Sequence, residues 1–176
     1  NFQLNTLLPT QNPKDTLAPS IVEYQNGMIK LFDLWIEEKE EPIIIHPFSD
    51  MVEAMISGKI NICTLSGHCY DNFLCIDPDG FLLPCGKWPK DEYLFGHISA
   101  GDISTYYSST AYIRYKENHL RLLEQCADCE YFYICHGGCY YLRQLTEDKT
   151  GDPNFFCDAY KAIFQHMAET VKRLLS

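Results

Sequence analysis

Nine cysteines in 176 residues constrain this chain more than any other feature. An odd count fits a secreted disulfide scaffold poorly, and disulfide-dense domains are usually shorter than about 80 residues because they lack core. Thiols kept reduced in a cytoplasm and used as metal ligands are the expectation instead. They fall into two groups. The first holds Cys69, Cys75 and Cys85, with Gly80 on a turn before Cys85; the second reads Cys126-x2-Cys129-x5-Cys135-x3-Cys139, and Cys157 follows. Closely spaced cysteines let backbone wrap a metal centre, and the glycines of His136-Gly137-Gly138 remove side chains where backbone must approach a bulky group. Eight thiolates satisfy two four-coordinate centres and leave Cys63 over. Tetrahedral sulfur sites suit zinc or iron–sulfur clusters, and spacing alone does not separate the two.

The remaining composition is that of a packed domain, with 46% hydrophobic and 22% charged residues. A net charge of -10 repels phosphate backbones and anionic membranes, so neither nucleic acid nor membrane is an expected partner. No apolar run approaches the roughly 18 to 20 residues of a membrane span. The opening NFQLNTLLPTQNPKD has no secretory-signal character and no initiator Met, and a piece of a longer protein is expected.

Residues 1–19, with Pro9, Pro13 and Pro19, read as a linker. Ser20 and Glu23 have the capping-box spacing, and Ile21, Tyr24, Met28, Leu31 and Trp35 form the stripe of a helix reaching about Glu38. Gly27 inside it costs up to about 1 kcal/mol. Pro42 to Ile45 read as a strand, and Asp50 to Glu53 open a second helix that Gly58 stops. Residues 73–77 and 81–83 flank Pro78-Asp79-Gly80, a turn that makes them a β-hairpin. Residues 102–124 are helical with a break near Ser108 and Ser109. A last helix starts near Cys157, striped by Tyr160, Ile163, Phe164, Met167, Val171 and Leu174.

The cysteine order, the Pro-Asp-Gly turn before Pro84-Cys85, and the Cys-x-Gly-Gly-Cys segment at 135–139 together resemble the signature of the SPASM domain. That domain is the C-terminal extension of radical S-adenosylmethionine (SAM) enzymes that modify peptides and proteins. Cys75, after Cys69, is similar to the additional ligand of anaerobic sulfatase-maturating enzymes and ribosomal-peptide maturases. The resemblance covers about residues 63–157 and implies an α+β fold, a small hairpin and helices organised around two cysteine-ligated [4Fe-4S] clusters. It further implies that Cys69, Cys75, Cys85 and Cys139 hold the first cluster and Cys126, Cys129, Cys135 and Cys157 the second. Residues 20–62 would be connecting helices after a radical SAM barrel, and residues 63–176 the auxiliary-cluster domain.

The family's radical-generating Cys-x3-Cys-x2-Cys run occurs nowhere in the chain. SAM would therefore bind only through a barrel elsewhere in the parent protein, and no catalytic residue is assigned. The chain alone is expected to be inactive. The expected work is electron transfer and walling of a substrate cavity, with a peptide or protein substrate and a reductant such as flavodoxin or ferredoxin; a ribosomally made peptide is the favoured substrate. The competing class is a structural zinc-binding interaction module, zinc filling the same thiolates without redox chemistry. An independent ferredoxin-like carrier is a third class.

Bland roles are expected for most other polar residues. Cys63 reads as a free thiol, His68 and His136 as packing beside ligands, and Asp71, Asp77 and Asp79 as turn and cap residues. The tyrosines at 106, 107, 131, 133, 140 and 141 could stack on a peptide or shield clusters from water.

Overall fold

The computed structural model describes residues 2–4, 18–38, 43–60, 62–152 and 154–176. Most of the proline-rich 1–19 segment and Pro42 lie outside them. The described part of the first segment is not wholly linker. Phe2–Gln3 (β1) pairs in parallel with Ile45–His46 (β2), joined through helix α1, Ile21–Glu37. Parallel strands need such a crossover, and the helix supplies it. The run read as a strand from Pro42 shrinks to these two residues.

Helix α1 starts as its cap residues dictate. Ser20 accepts from the Glu23 amide, and the Glu23 carboxylate accepts from the Ser20 amide at 2.8 Å. Its buried residues are Met28 and Phe32, while Leu31 of the anticipated stripe is 45% exposed. Helix α2, Phe48–Ser57, begins two residues before Asp50 and ends on left-handed Gly58. The last helix, α8, runs Cys157–Leu175. Together α1, α2 and α8 bury Met28, Phe32, Phe48, Met51, Ile163, Phe164 and Met167 in one core. Each such side chain contributes roughly 1.5–3 kcal/mol on burial.

A second core is mostly aromatic. Between the anticipated strands Cys75–Ile76 (β3) and Phe81–Leu83 (β4), the Asp77 carboxylate accepts from the amides of Asp79 and Phe81, each at 2.9 Å. The Phe81 amide foremost, and then Lys90, hold that carboxyl below its usual range. The hairpin gains a third strand, Gly96–His97 (β5). Ile103–Tyr107 (α4) and Thr110–Glu124 (α5) break where expected, with Ser109 capping α5. Trp88, Tyr93, Phe95, Tyr112, Tyr115 and Tyr140 pack here. Short helices Cys69–Asn72 (α3) and Phe132–Cys135 (α6), and the longer Tyr140–Thr150 (α7), complete the order.

His119 on α5 is buried in the aromatic core, its ring 5.2 Å from that of Tyr70 and 4.9 Å from that of Tyr140. Its Nδ1 has no hydrogen-bond partner among the described residues. Burial, helped by Arg143, pulls its pKa down to about 4. A depressed folded value means stability present above the unfolded pKa near 6.5 and lost as pH falls towards 4. We expect His119 to account for about 3 kcal/mol of acid destabilisation across that window. His119→Phe should flatten the dependence, read by urea unfolding at pH 7 and pH 4.5; equal slopes in both proteins would refute it.

Candidate metal centre

The cysteines lie between the two cores: Cys135 packs against the first and Cys85 against the second. Cys69 opens α3, Cys75 lies on β3, and Cys85 follows β4 at the head of a turn closed by the Trp88 amide on its carbonyl. Cys126 and Cys129 occupy consecutive turns after α5, Cys135 ends α6, and Cys139 and Cys157 sit at the starts of α7 and α8.

The electrostatic neighbours of these thiols separate into two groups. Burial raises the pKa of Cys69 to about 12, and the next contributions come from the charges of Cys63 and Cys139. Cys85 is raised by burial and feels Cys63 and Cys75; Cys139, also raised by burial, feels Cys63 and Cys85. Cys135 is pushed up to about 12, again by burial first, and its thiol neighbours are Cys157, Cys126 and Cys129. Burial raises Cys157 too, within reach of Cys126 and Cys129. By these couplings Cys69, Cys75, Cys85 and Cys139 neighbour one another, as do Cys126, Cys129, Cys135 and Cys157, and Cys139 borders the second set as well. Exposed Cys63 joins the first set, which its position outside the spacing pattern did not foretell.

The second group walls a cavity of about 50 Å³ that Cys139, Arg143, Thr146, Phe156 and Tyr160 also line. That is several times the space one water needs. Among the described residues no three His, Cys, Asp or Glu side chains stand close enough to hold a single metal ion. Soft sulfur donors around a void, with no carboxylate among them, suit a thiolate-bound polynuclear group better than a hard cation.

A close contact joins two segments that carry cysteines of the first group. Gly67, at φ +68°, passes so near His136 that a Cβ there would lie 2.6 Å from the His136 Cβ and 2.7 Å from its carbonyl oxygen. His136 is itself left-handed (φ 45°), and its Nδ1 lies 3.0 Å from the Leu65 carbonyl oxygen. The segment leading to Cys69 is thereby fixed on the segment leading to Cys139. His68 is exposed, its ring 6.4 Å from that of His136.

A cleft of about 780 Å³ opens beside the first group, lined by Cys63, Lys87, Cys139 and Tyr141 and, across from them, by His46, Asp50 and Glu23. Buried Asp50 holds His46 Nδ1 at 2.5 Å. Sequence reasoning assigned nothing to His46. The available signal was its place after the β-branched run, at the carboxyl end of a parallel strand, where such sheets place their sites.

Two groups of thiols are thus set between a helical and an aromatic core of a small α+β domain. Residues 58–130 match the model of the SPASM family, described as an iron-sulfur cluster-binding domain, and they carry the part of the signature from Cys69 to Cys129. Cys135, Cys139 and Cys157 lie beyond the matched stretch. The chain is 27% identical over 146 residues to the cysteine-type anaerobic sulfatase-maturating enzyme of Clostridium perfringens (strain 13 / Type A), covering 82% of this chain and 39% of that protein. The enzyme of the same name from Clostridium novyi (strain NT) is 26% identical over 161 residues, 89% of this chain and 43% of that protein. The chain therefore spans less than half the length of the curated relatives it matches.

Solved structures agree in fold. Native anSMEcpe with bound AdoMet superposes with a TM-score of 0.77 at 23% identity, over 94% of this chain and 45% of that one. The same protein with bound AdoMet and Kp18Cys peptide gives 0.75 at 22% identity, over 98% and 49%. The expected SPASM-like α+β fold is thus the observed one.

Proposed function

We propose that this chain is the auxiliary iron–sulfur portion of a radical SAM enzyme that modifies a cysteine-containing segment of a protein. The observation that supports the reading is the match of residues 58–130 to an iron-sulfur cluster-binding domain, beside thiols that neighbour one another in two sets. Cys69, Cys75, Cys85 and Cys139 hold one cluster in this reading, and Cys126, Cys129, Cys135 and Cys157 the other. When bound, such clusters supply storage and transfer of single electrons. Burial keeps the thiols of Cys69, Cys85, Cys135, Cys139 and Cys157 protonated, so loading releases protons and improves as pH rises.

The relatives' names favour a protein substrate over a ribosomally made peptide. The cleft beside the first group supplies the substrate wall. Its volume lies in the range of small-ligand and peptide-segment sites. His46, oriented by Asp50, lines this cleft with Lys87 and Tyr141 and can meet a polar group bound there. The radical-generating site belongs to a barrel elsewhere in the parent protein, and a flavodoxin or ferredoxin supplies electrons. A cytoplasmic location belongs to this reading, since thiolate ligands need cysteines kept reduced; among the described residues no helix is long and apolar enough to cross a membrane.

The deciding experiment measures iron, zinc and acid-labile sulfide per chain after purification without oxygen. Two four-iron clusters correspond to about eight irons and about eight sulfides. About two zincs and no sulfide, persisting after anaerobic reconstitution, would replace the electron-transfer reading with the structural zinc module.

A further inference from the structure

One buried cation stands against the second thiol group and has no part in the function above. Arg143, on α7, is 7% exposed and lines the same cavity as Cys126, Cys129, Cys135 and Cys157. Its Nη1 donates to the Leu122 carbonyl at 3.0 Å, to Cys126 Sγ at 3.5 Å and to the Gly137 carbonyl at 3.4 Å. Its Nη2 donates to Asn154 Oδ1 at 2.8 Å and Gln125 Oε1 at 3.3 Å. These acceptors come from the end of α5, the glycine turn and the loop before α8, so the guanidinium cannot swing away. Asn154 is also placed to accept from Cys157 Sγ at 3.7 Å, which links the arginine to a second thiol of the group.

Position and burial decide what such a charge can do. A guanidinium keeps its charge at every working pH. Buried charges are screened far less than exposed ones. Lys87 near the first group and Lys161 near the second are both exposed, so their influence is damped by water and salt. Arg143 is the cation set on the sulfur inside the protein. A positive charge against a group that gains an electron stabilises the reduced state more than the oxidised one.

We propose that Arg143 is a positioning residue for electron transfer: by donating to Cys126 beside the second thiol group, it raises the reduction potential of the centre held there. The inference rests on the cluster reading above. The step it biases is the gain of one electron, delivered by dithionite in the test and by a flavodoxin- or ferredoxin-class donor in the cell. No bond forms or breaks at Arg143, and no proton is exchanged.

The test uses the full-length protein that carries this chain, purified without oxygen and titrated with dithionite while the reduced centres are followed by electron paramagnetic resonance. Arg143→Gln should keep its iron and sulfide but shift one centre to lower potential, reducing its reduced-to-oxidised ratio at fixed potential about tenfold, or about 59 mV for a one-electron couple. Arg143→Lys should stay close to the parent, because it keeps the charge. The gap between Arg143→Gln and the parent should be the same at pH 6.5 and pH 8.5. Loss of the centre in the Gln variant with retention in the Lys variant would also support a role for the charge. Unchanged potentials in a fully loaded Gln variant would overturn the proposal, as would loss of the centre in both variants, which marks a purely structural knot. A parent protein without iron and sulfide would instead overturn the cluster reading, and this inference with it.

Discussion

Cys139→Ala is expected to remove about four of about eight irons, with matching sulfide, and leave the group of Cys126, Cys129, Cys135 and Cys157 loaded. In sequence Cys139 belongs to the second group, only four positions after Cys135. In space it feels the charges of Cys63 and Cys85, and it also lines the cavity of the second group. Removing a ligand by truncation leaves the centre that uses it open, so the half that is lost reports which group Cys139 serves. Loss of the second half, with the first retained, would show that the local motif closes on itself. Cys63→Ser is the control: although Cys63 stands near Cys69, Cys85 and Cys139, it should leave the iron content unchanged, and loss of about four irons would make it a ligand.

The second large effect is mechanical. Gly67→Ala should cost about 2–5 kcal/mol, summing roughly 1–2 kcal/mol for a side chain in left-handed backbone and 1–3 kcal/mol for overpacking. The obstructing atoms are the backbone oxygen and Cβ of His136, which cannot rotate aside as a flexible side chain can. Urea unfolding would measure the loss, and iron content should fall with it, since the displaced strand of chain carries Cys69 towards Cys139. Gly27→Ala is the contrasting substitution: nothing lies within 4 Å of the added carbon, and the helix should gain up to about 1 kcal/mol. A Gly67→Ala protein as stable as its parent would mean that the contact with His136 tethers nothing.

Local chemistry made parts of this fold legible. The Ser20 cap, the Gly58 stop, the Asp77 turn and the break at Ser109 each depend on residues within four positions of one another, and each was readable. Helix α7 was not, because its inward face carries Arg143 and Thr146, polar residues that no hydrophobic stripe reveals. Strand β5 is two residues long and owes its existence to pairing with β4. Helix α2 begins at Phe48 rather than at Asp50 because the Asp50 carboxylate is taken up by His46 and caps nothing. Leu31 and Leu174 share the helical period of their buried neighbours yet stay exposed, so periodicity located the faces but not their edges. The partition of the thiols was an expectation of the family resemblance and not of local chemistry. The place of Cys63 beside the first group, the buried arginine at the second and the His46–Asp50 pair depend on contacts between segments far apart in sequence, or on burial that spacing does not encode.

The turn from His136 to Gly138 also acts as a ruler. Cys135 and Cys139 belong to different thiol groups, yet only four peptide links separate them, a contour of no more than about 14 Å even if drawn out straight. All three intervening residues are left-handed, which folds that contour back on itself. Whatever the two places hold is therefore kept within a short hop by covalent chain, and domain breathing cannot pull them apart. Insertion of even a few residues here would lengthen the hop while leaving every cysteine in place.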